Sequence, residues 1–460
     1  MTVRERVARR AVHALLARAR GGTIELVENG TACAFGTPAG EPPLRACIEV
    51  HEPAFHPALL SGGAGAGRAY VDGLWDCDDL VALVRIAARA MPPLDRWRER
   101  LLPVTAPWQQ TAWRLRGNSR ARARERIAAH YDLGNTLFAR FLDETMMYSA
   151  AIFERPGATL HEAQLAKLDR ICERLQLRPG ERLLEIGTGW GGFVLHAASR
   201  YGAHVTTATI SQEQHAHALA AVRAAGLEDR VTVLLQDYRD LRGRYDKLVS
   251  IEMIEAVGWE RLDTYFARCS ELLEPHGAML LQAIVHPHRV FRVEKAAKGF
   301  IREFVFPGGT LPSMLAIERS LARRTDLRSV VLDDITPHYA RTLACWRERF
   351  HDAWPELRTL GYDERFRRLW DLYLAYCEAG FRERRISDVQ LLLVKPAWRG
   401  EAGALAQPAA RRSSVARREQ VARVVPQPQR RRGVFAADDR EAGGVEREVA
   451  AVVGSERERT

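Results

Sequence analysis

The chain has 460 residues, 47% of them hydrophobic, which is enough for two or three packed domains and excludes a chain disordered throughout. Its formal charge of +10 is almost all arginine, lysine occurring only at Lys167, Lys247, Lys295, Lys298 and Lys395; such a charge suits an anionic lipid surface as well as nucleic acid, and alone it chooses neither. No apolar run reaches the roughly 18 to 20 residues of a spanning helix, and the start, MTVRERVARRAVHALLARAR, is too broken by arginine for a signal-peptide core. The seven cysteines are scattered, with no CxxC pair and no Cys/His cluster at ligand spacing. A cytoplasmic protein without a disulfide framework or a metal site is expected.

Residues 1–105 alternate short apolar runs with turn signals (GTIELVENGTACAFG, LRACIEVHEP) and then show a helical pattern from Asp78 to Met91, which predicts a small α/β domain. The glycines of Ser61 to Tyr70 lack the Lys-Ser/Thr of a phosphate loop and read as a turn. Residues 106–164 include the basic run WRLRGNSRARARER and are expected to link the domains and to supply helices over an active site. From 165 to 396, apolar strands alternate with amphipathic helices: ERLLEIG, AHVTTATI, RVTVLLQD, YDKLVSIEM, AMLLQAIV, LRSVVLDDI and DVQLLLVKP. Seven strands at that spacing predict a doubly wound α/β domain with a mostly parallel sheet. Residues 397–460 are rich in Arg, Ala, Glu and Gly and nearly lack aromatics, so no packed core is expected there.

The first of these strands runs into Gly187-Thr188-Gly189-Trp190-Gly191-Gly192 and then a helix. Glycines there let the backbone approach a ligand closely. The order is GxGxGG rather than the GxGxxG of a dinucleotide fold. The second strand ends in Thr209-Ile210-Ser211-Gln212-Glu213-Gln214 and the third in Gln236-Asp237-Tyr238, an acid beside an aromatic that suits the edge and face of adenine.

These segments, together with AYVDGLWDCDDL, HYDLGNTLFARFLDETMMYSAAIF, SIEMIEAVG, FIREFVFPGGTLPS, HYARTLACWRERF and LYLAYCEAGFR, resemble the cyclopropane-fatty-acyl-phospholipid synthase family over roughly residues 15–396. The resemblance implies a class I Rossmann-like methyltransferase with a small N-terminal α/β domain that engages lipid. It also implies S-adenosylmethionine as methyl donor and peripheral binding to the inner face of a membrane, often as a homodimer, with phospholipid rather than nucleic acid as partner. It places the donor against Tyr148, Ser149, Gly187, Gly189, Thr209, Gln214, Asp237 and Tyr238. It further implies a bicarbonate ion as active-site base, held at positions that match Ala150, Glu255, Gln282, Ile284 and Tyr339. Two of these depart from the pattern, Ala150 standing where many members have Cys and Gln282 where the best-known bacterial members have His.

The implied reaction transfers a methyl group to an acyl double bond. Loss of a proton from the new methyl then gives a cyclopropane ring or, without ring closure, a methylene (10-methylene) branch. Glu255 would orient the base and stabilise positive charge, or else cap the helix that follows it. Tyr339 would hold the same ion or pack as an ordinary aromatic. Phe300, Phe304 and Phe306 suit an acyl tunnel or a core equally, Cys377 reads as inert packing, and His286 and His288 read as a polar loop. A membrane-surface protein that has lost its chemistry is the alternative that Ala150 and Gln282 would favour.

Overall fold

The computed structural model describes residues 2–38, 43–116, 134–295, 297 and 299–400; the expectations for His130, Tyr131, most of the basic run and the segment after 400 lie outside these. The N-terminal unit opens with helix α1 (Val3–Leu16), started by a Thr2/Glu5 capping box. Strands β1 (Gly22–Glu28), β2 (Thr31–Thr37), β3 (Leu44–Val50) and β4 (Trp75–Cys77) form a sheet of order β2-β1-β3-β4. Along β1 the side chains alternate between buried and half-buried, as a strand with one covered face requires. The one buried acid on that face, Glu28, is held by Arg9, His13 and His56.

The glycine-rich run is helical where a turn was expected: α2 (Phe55–Leu60) is followed by α3 (Gly63–Val71). Gly67 serves packing there, since a Cβ on it would lie 2.4 Å from the Phe300 ring. The next helix, α4, runs from Leu80 to Arg116, well beyond Met91 and across the boundary expected at 105. Tertiary contacts hold it through Pro92 and Pro93, among them Arg85 and Arg89 on Glu383.

Short helix α5 (Asn135–Phe141) and α6 (Leu160–Arg174) precede the larger sheet. Its strands β5 (Arg182–Ile186), β6 (His204–Thr209), β7 (Val231–Leu235), β8 (Tyr245–Ile251), β9 (Leu273–Val285), β10 (Arg328–Asp334) and β11 (Ser387–Val394) match the seven expected, in the order β10-β11-β9-β8-β5-β6-β7. β5 to β9 are mutually parallel and the β10/β11 edge is antiparallel. Helices α7 (Gly192–Tyr201), α8 (Gln212–Ala224) and α9 (Leu262–Leu272) connect these strands, with α10 (His288–Glu294), α11 (Phe300–Phe304) and α12 (Met314–Arg324) after β9. The chain moves outward from β5 to β7 and then returns to place β8 on β5's other side, so the topological switch lies between β5 and β8, where such sheets bind ligands.

Helices α13 (Thr336–Thr359) and α14 (Glu364–Arg382) pack against α5. Together they bury Phe138, Phe141, Trp346, Phe350, Trp370 and Tyr373, and this apolar core continues without a break into Phe55, Tyr70 and Trp75 of the N-terminal unit. No helix among the described residues is long and apolar enough to cross a membrane.

Candidate active site

Every residue predicted to contact the methyl donor, apart from Tyr148 and Ser149, lies at or just beyond the carboxyl end of β5, β6 or β7. After β5 the backbone turns through Gly187, Gly189 and Gly191 at φ of 102°, 51° and 94°, a region that favours glycine. A Cβ on Gly187 would press on Met253 at 3.0 Å, and one on Gly192 would lie 2.3 Å from the Thr145 carbonyl oxygen. Around Gly189, by contrast, nothing lies within 4 Å of where a Cβ would stand. Beneath this turn Glu185 accepts a hydrogen bond from the Thr207 hydroxyl at 2.6 Å, and burial pushes its carboxyl up to about 8.

After β6 the Thr209 hydroxyl donates to Gln214 Oε1 (2.9 Å) and accepts from the Ser211 N–H. After β7 Asp237 is gripped by both arms of Arg239, at 2.8 and 2.5 Å. Tyr238 packs edge-on to Tyr265, and its buried hydroxyl has no hydrogen-bond partner among the described residues. Tyr148 belongs to the aromatic wall, 5.2 Å from the Phe138 and Trp346 rings, with its hydroxyl 2.7 Å from that of Tyr373. Ser149 is buried: its hydroxyl accepts from Lys167 Nζ (2.8 Å) and its carbonyl from Gln164 (2.9 Å).

The residues expected to hold the base gather beyond β8 and β9, around an acid that motif matching passes over. Glu252 follows β8, and its carboxylate accepts from the Ala150 N–H at 2.8 Å, from Gln282 Nε2 at 2.7 Å and from the Tyr339 hydroxyl at 2.6 Å. The other Gln282 donor reaches Asp388 Oδ2 at 3.1 Å, while Gln282 Oε1 accepts from Gln390 at 3.0 Å. Gln282 thus spends both N–H groups on bridging two acids. Ile284 gives its N–H to Glu255 Oε1 (2.6 Å), and Glu255 Oε2 is buried without a partner among the described residues. The Glu255 side chain is thus tied to β9.

The charges follow from this geometry. Burial, with the Glu252 charge second, pushes Glu255 up to about 8, so it is neutral at pH 7. Burial and the charges of Glu252 and Glu255 raise Asp388 well above the carboxylate range. Burial raises Glu252 as well, opposed by Tyr339, the Ala150 N–H, Lys167 and Gln282. With three donors against one, Glu252 is the member of the coupled pair that keeps the negative charge. Lys167 is fully buried and lowered to about 8 by desolvation, with Glu252 the leading charge that holds it up.

Glu252, Asp388 and Lys167 were not read from the sequence as site residues, although each leaves a trace there. Asp388 is the lone acid in an apolar strand, Lys167 one of five lysines and set on a buried helix face, and Glu252 an acid at the end of a sheet strand. The donors that the resemblance gave to bicarbonate are therefore already engaged. Ala150, Gln282 and Tyr339 all donate to Glu252, and Ile284 to Glu255, so a free bicarbonate does not fit this donor set. Phe300 packs in the core beside Gly67 and Tyr376, while Phe306 lies edge-on to Tyr373. His286 is half-buried with Nδ1 3.2 Å from the Arg385 carbonyl, and desolvation holds it down at about 4.

A seven-stranded sheet of this order, with a glycine turn after β5 that leaves room at Gly189, defines a class I methyltransferase fold. The residues present fit S-adenosylmethionine, which supplies an electrophilic methyl group when bound. The chain belongs to the mycolic acid cyclopropane synthetase family, whose model matches residues 118–391. It is 43% identical over 342 residues to the tuberculostearic acid methyltransferase of Mycobacterium tuberculosis, covering 73% of this chain and 79% of the relative. It is 40% identical over 353 residues to the cyclopropane-fatty-acyl-phospholipid synthase of Escherichia coli, covering 75% and 86%. A mycolic acid cyclopropane synthase solved with S-adenosylhomocysteine superposes with a TM-score of 0.55 at 32% identity, covering 59% of this chain and 98% of that one. The protein is an S-adenosylmethionine-dependent methyltransferase.

Proposed function

We propose that the enzyme transfers the sulfonium methyl of S-adenosylmethionine to the double bond of an unsaturated acyl chain of a phospholipid and closes a cyclopropane ring. The observation that carries this reading is a carboxylate held ready to accept a proton at the switch point of the sheet, beside the glycine turn and an aromatic wall. The alkene π pair forms the new C–C bond as the S–CH3 bond breaks, leaving neutral S-adenosylhomocysteine and a cation on the neighbouring carbon. A proton then leaves the new methyl, and its C–H pair closes the ring. The aromatic faces of the wall suit the passing cation.

The residues that would hold the methyl donor are Gly187 and Gly189 by their backbone, with Tyr148, Ser149, Thr209, Gln214, Asp237 and Tyr238 around them. Access from a lipid surface is supported by apolar side chains left exposed among arginines on α1, namely Val3, Val7 and Leu15, and by Leu94, Trp97 and Leu101 along one face of α4. A methylene branch is the second reading, favoured by the 43% identity to the tuberculostearic acid methyltransferase. It requires a hydride shift to place the cation on the methylated carbon before the methyl loses its proton.

Expression in a host with oleoyl phospholipids, followed by proton NMR of the extracted lipid, decides between them. High-field ring protons are expected, and vinylidene protons would select the second reading. Neither signal, with folded enzyme and methyl donor present, would overturn both.

A further inference from the structure

We propose that the carboxylate of Glu252 is itself the base that takes the proton from the transferred methyl group, in the place that the resemblance gives to a bicarbonate ion. This rests on the methyl transfer to an alkene argued above. Three donors that would hold a free carbonate converge on the Glu252 side chain instead: the Ala150 N–H, the Gln282 amide and the Tyr339 hydroxyl. A carboxylate offers about four acceptor positions. Oε1 takes two of these bonds and Oε2 one, and the departing proton comes to the remaining position, which the Asp388 carboxyl also approaches.

The backbone supplies an independent argument. Glu252 sits at φ 48°, a left-handed conformation that side chains other than glycine's adopt at a cost and that is kept where the surroundings require it. A glycine would be easier to place at this point; a glutamate there puts a carboxylate among donors that would otherwise close on a diffusible anion. Gln282 fits the same account. It cannot carry a proton, but its two N–H groups bridge Glu252 and Asp388 while Gln390 holds its oxygen. Gln282, Tyr339 and Asp388 are thus positioning residues for Glu252. In the step itself the C–H pair stays with the carbon skeleton, the proton goes to Glu252, and a water molecule takes it up before the next turnover; no oxidant or reductant is involved.

The test compares wild-type enzyme with E252Q and E252G on vesicles of dioleoyl phosphatidylethanolamine and phosphatidylglycerol, with methyl-labelled S-adenosylmethionine, in buffer freed of carbon dioxide and again with bicarbonate added. Wild-type turnover is expected to be the same in both buffers. E252Q should fall about a hundredfold or more, with methyl-donor affinity by calorimetry unchanged and no recovery in bicarbonate, because the amide fills the space. E252G, relieved of its backbone strain, should fall similarly and recover at least about tenfold with bicarbonate. Bicarbonate should also raise the melting temperature of E252G and leave that of the wild type unmoved. A wild type that loses activity without carbon dioxide and regains it with bicarbonate overturns the proposal, as does an E252Q enzyme with more than half the wild-type rate. A wild type that binds the methyl donor but labels no vesicle lipid in either buffer overturns the lipid reading, and this proposal with it.

Discussion

Tyr339 makes the shortest of the three hydrogen bonds to Glu252, 2.6 Å from its Oε2. Hydrogen bonds to a charged group contribute about 1.5–3 kcal/mol, and one pKa unit corresponds to about 1.4 kcal/mol. A donor aimed at the ionised form lowers the carboxyl's pKa, so Tyr339→Phe should raise that of Glu252 by about one unit. The base must be ionised to act, and the acidic limb of the pH–rate profile should move to higher pH by the same amount. On that acidic limb the rate should drop about tenfold, and the loss should disappear as the pH is raised past the limb. A uniform loss at every pH would mean that the Tyr339 hydroxyl does something other than tune Glu252. At this scale the sequence was only partly legible. Glu255, Gln282, Ile284 and Tyr339 could be picked out by matching a family pattern, but Glu252, although it stands in the matching segment SIEMIEAVG, receives no role from it. Only the convergence of three donors from distant segments reveals its place.

The strand–turn–helix from β5 to α7 allows a sharper test, because its glycines have different reasons to be glycine. Gly192 is required by packing: a methyl there would lie 2.3 Å from the Thr145 carbonyl oxygen, which is backbone and cannot give way cheaply. Gly189 has open space around it, and its φ of 51° is one that alanine adopts for about 1–2 kcal/mol. Gly189→Ala should therefore fold, melt only a few degrees lower, and bind S-adenosylmethionine at least about tenfold more weakly, since the methyl takes room left for the ligand. Gly192→Ala should lose stability first, and binding only as a consequence. Calorimetric titration beside thermal melts separates the two, and unchanged affinity in Gly189→Ala would remove that residue from the donor site. The strands themselves were legible because each is a short apolar run bounded by turn residues. The helix at Gly63–Val71 was not, because Gly67 answers to the Phe300 ring on a distant segment rather than to local turn chemistry.

At the scale of the molecule, the sequence suggested a small N-terminal domain set apart from the catalytic one, with a boundary at 105 that α4 runs across. What composition and periodicity cannot convey is that one apolar core serves both, since that depends on which faces meet. The junction is built around Arg368 of α14, a nearly buried arginine whose guanidinium donates to the carbonyls of Tyr70 (2.6 Å) and Trp75 (2.7 Å), pairs with Asp76 and lies 4.1 Å above the Tyr70 ring. Replacing it with alanine would take a charged donor from both carbonyls, each such hydrogen bond contributing about 1.5–3 kcal/mol, although Tyr70 keeps the Gly73 N–H. Half-exposed Asp76 would lose little, because water replaces its partner. Arg368→Ala should therefore destabilise the protein by about 2–4 kcal/mol. Because Phe55, Tyr70 and Trp75 belong to the same core as Trp346 and Trp370, the loss should appear as one cooperative transition shifted to lower temperature, followed alike by circular dichroism and by tryptophan fluorescence. Two separated transitions, with only the lower one moved by the substitution, would mean that the N-terminal unit melts on its own. The catalytic aromatic wall would then stand without support from that unit.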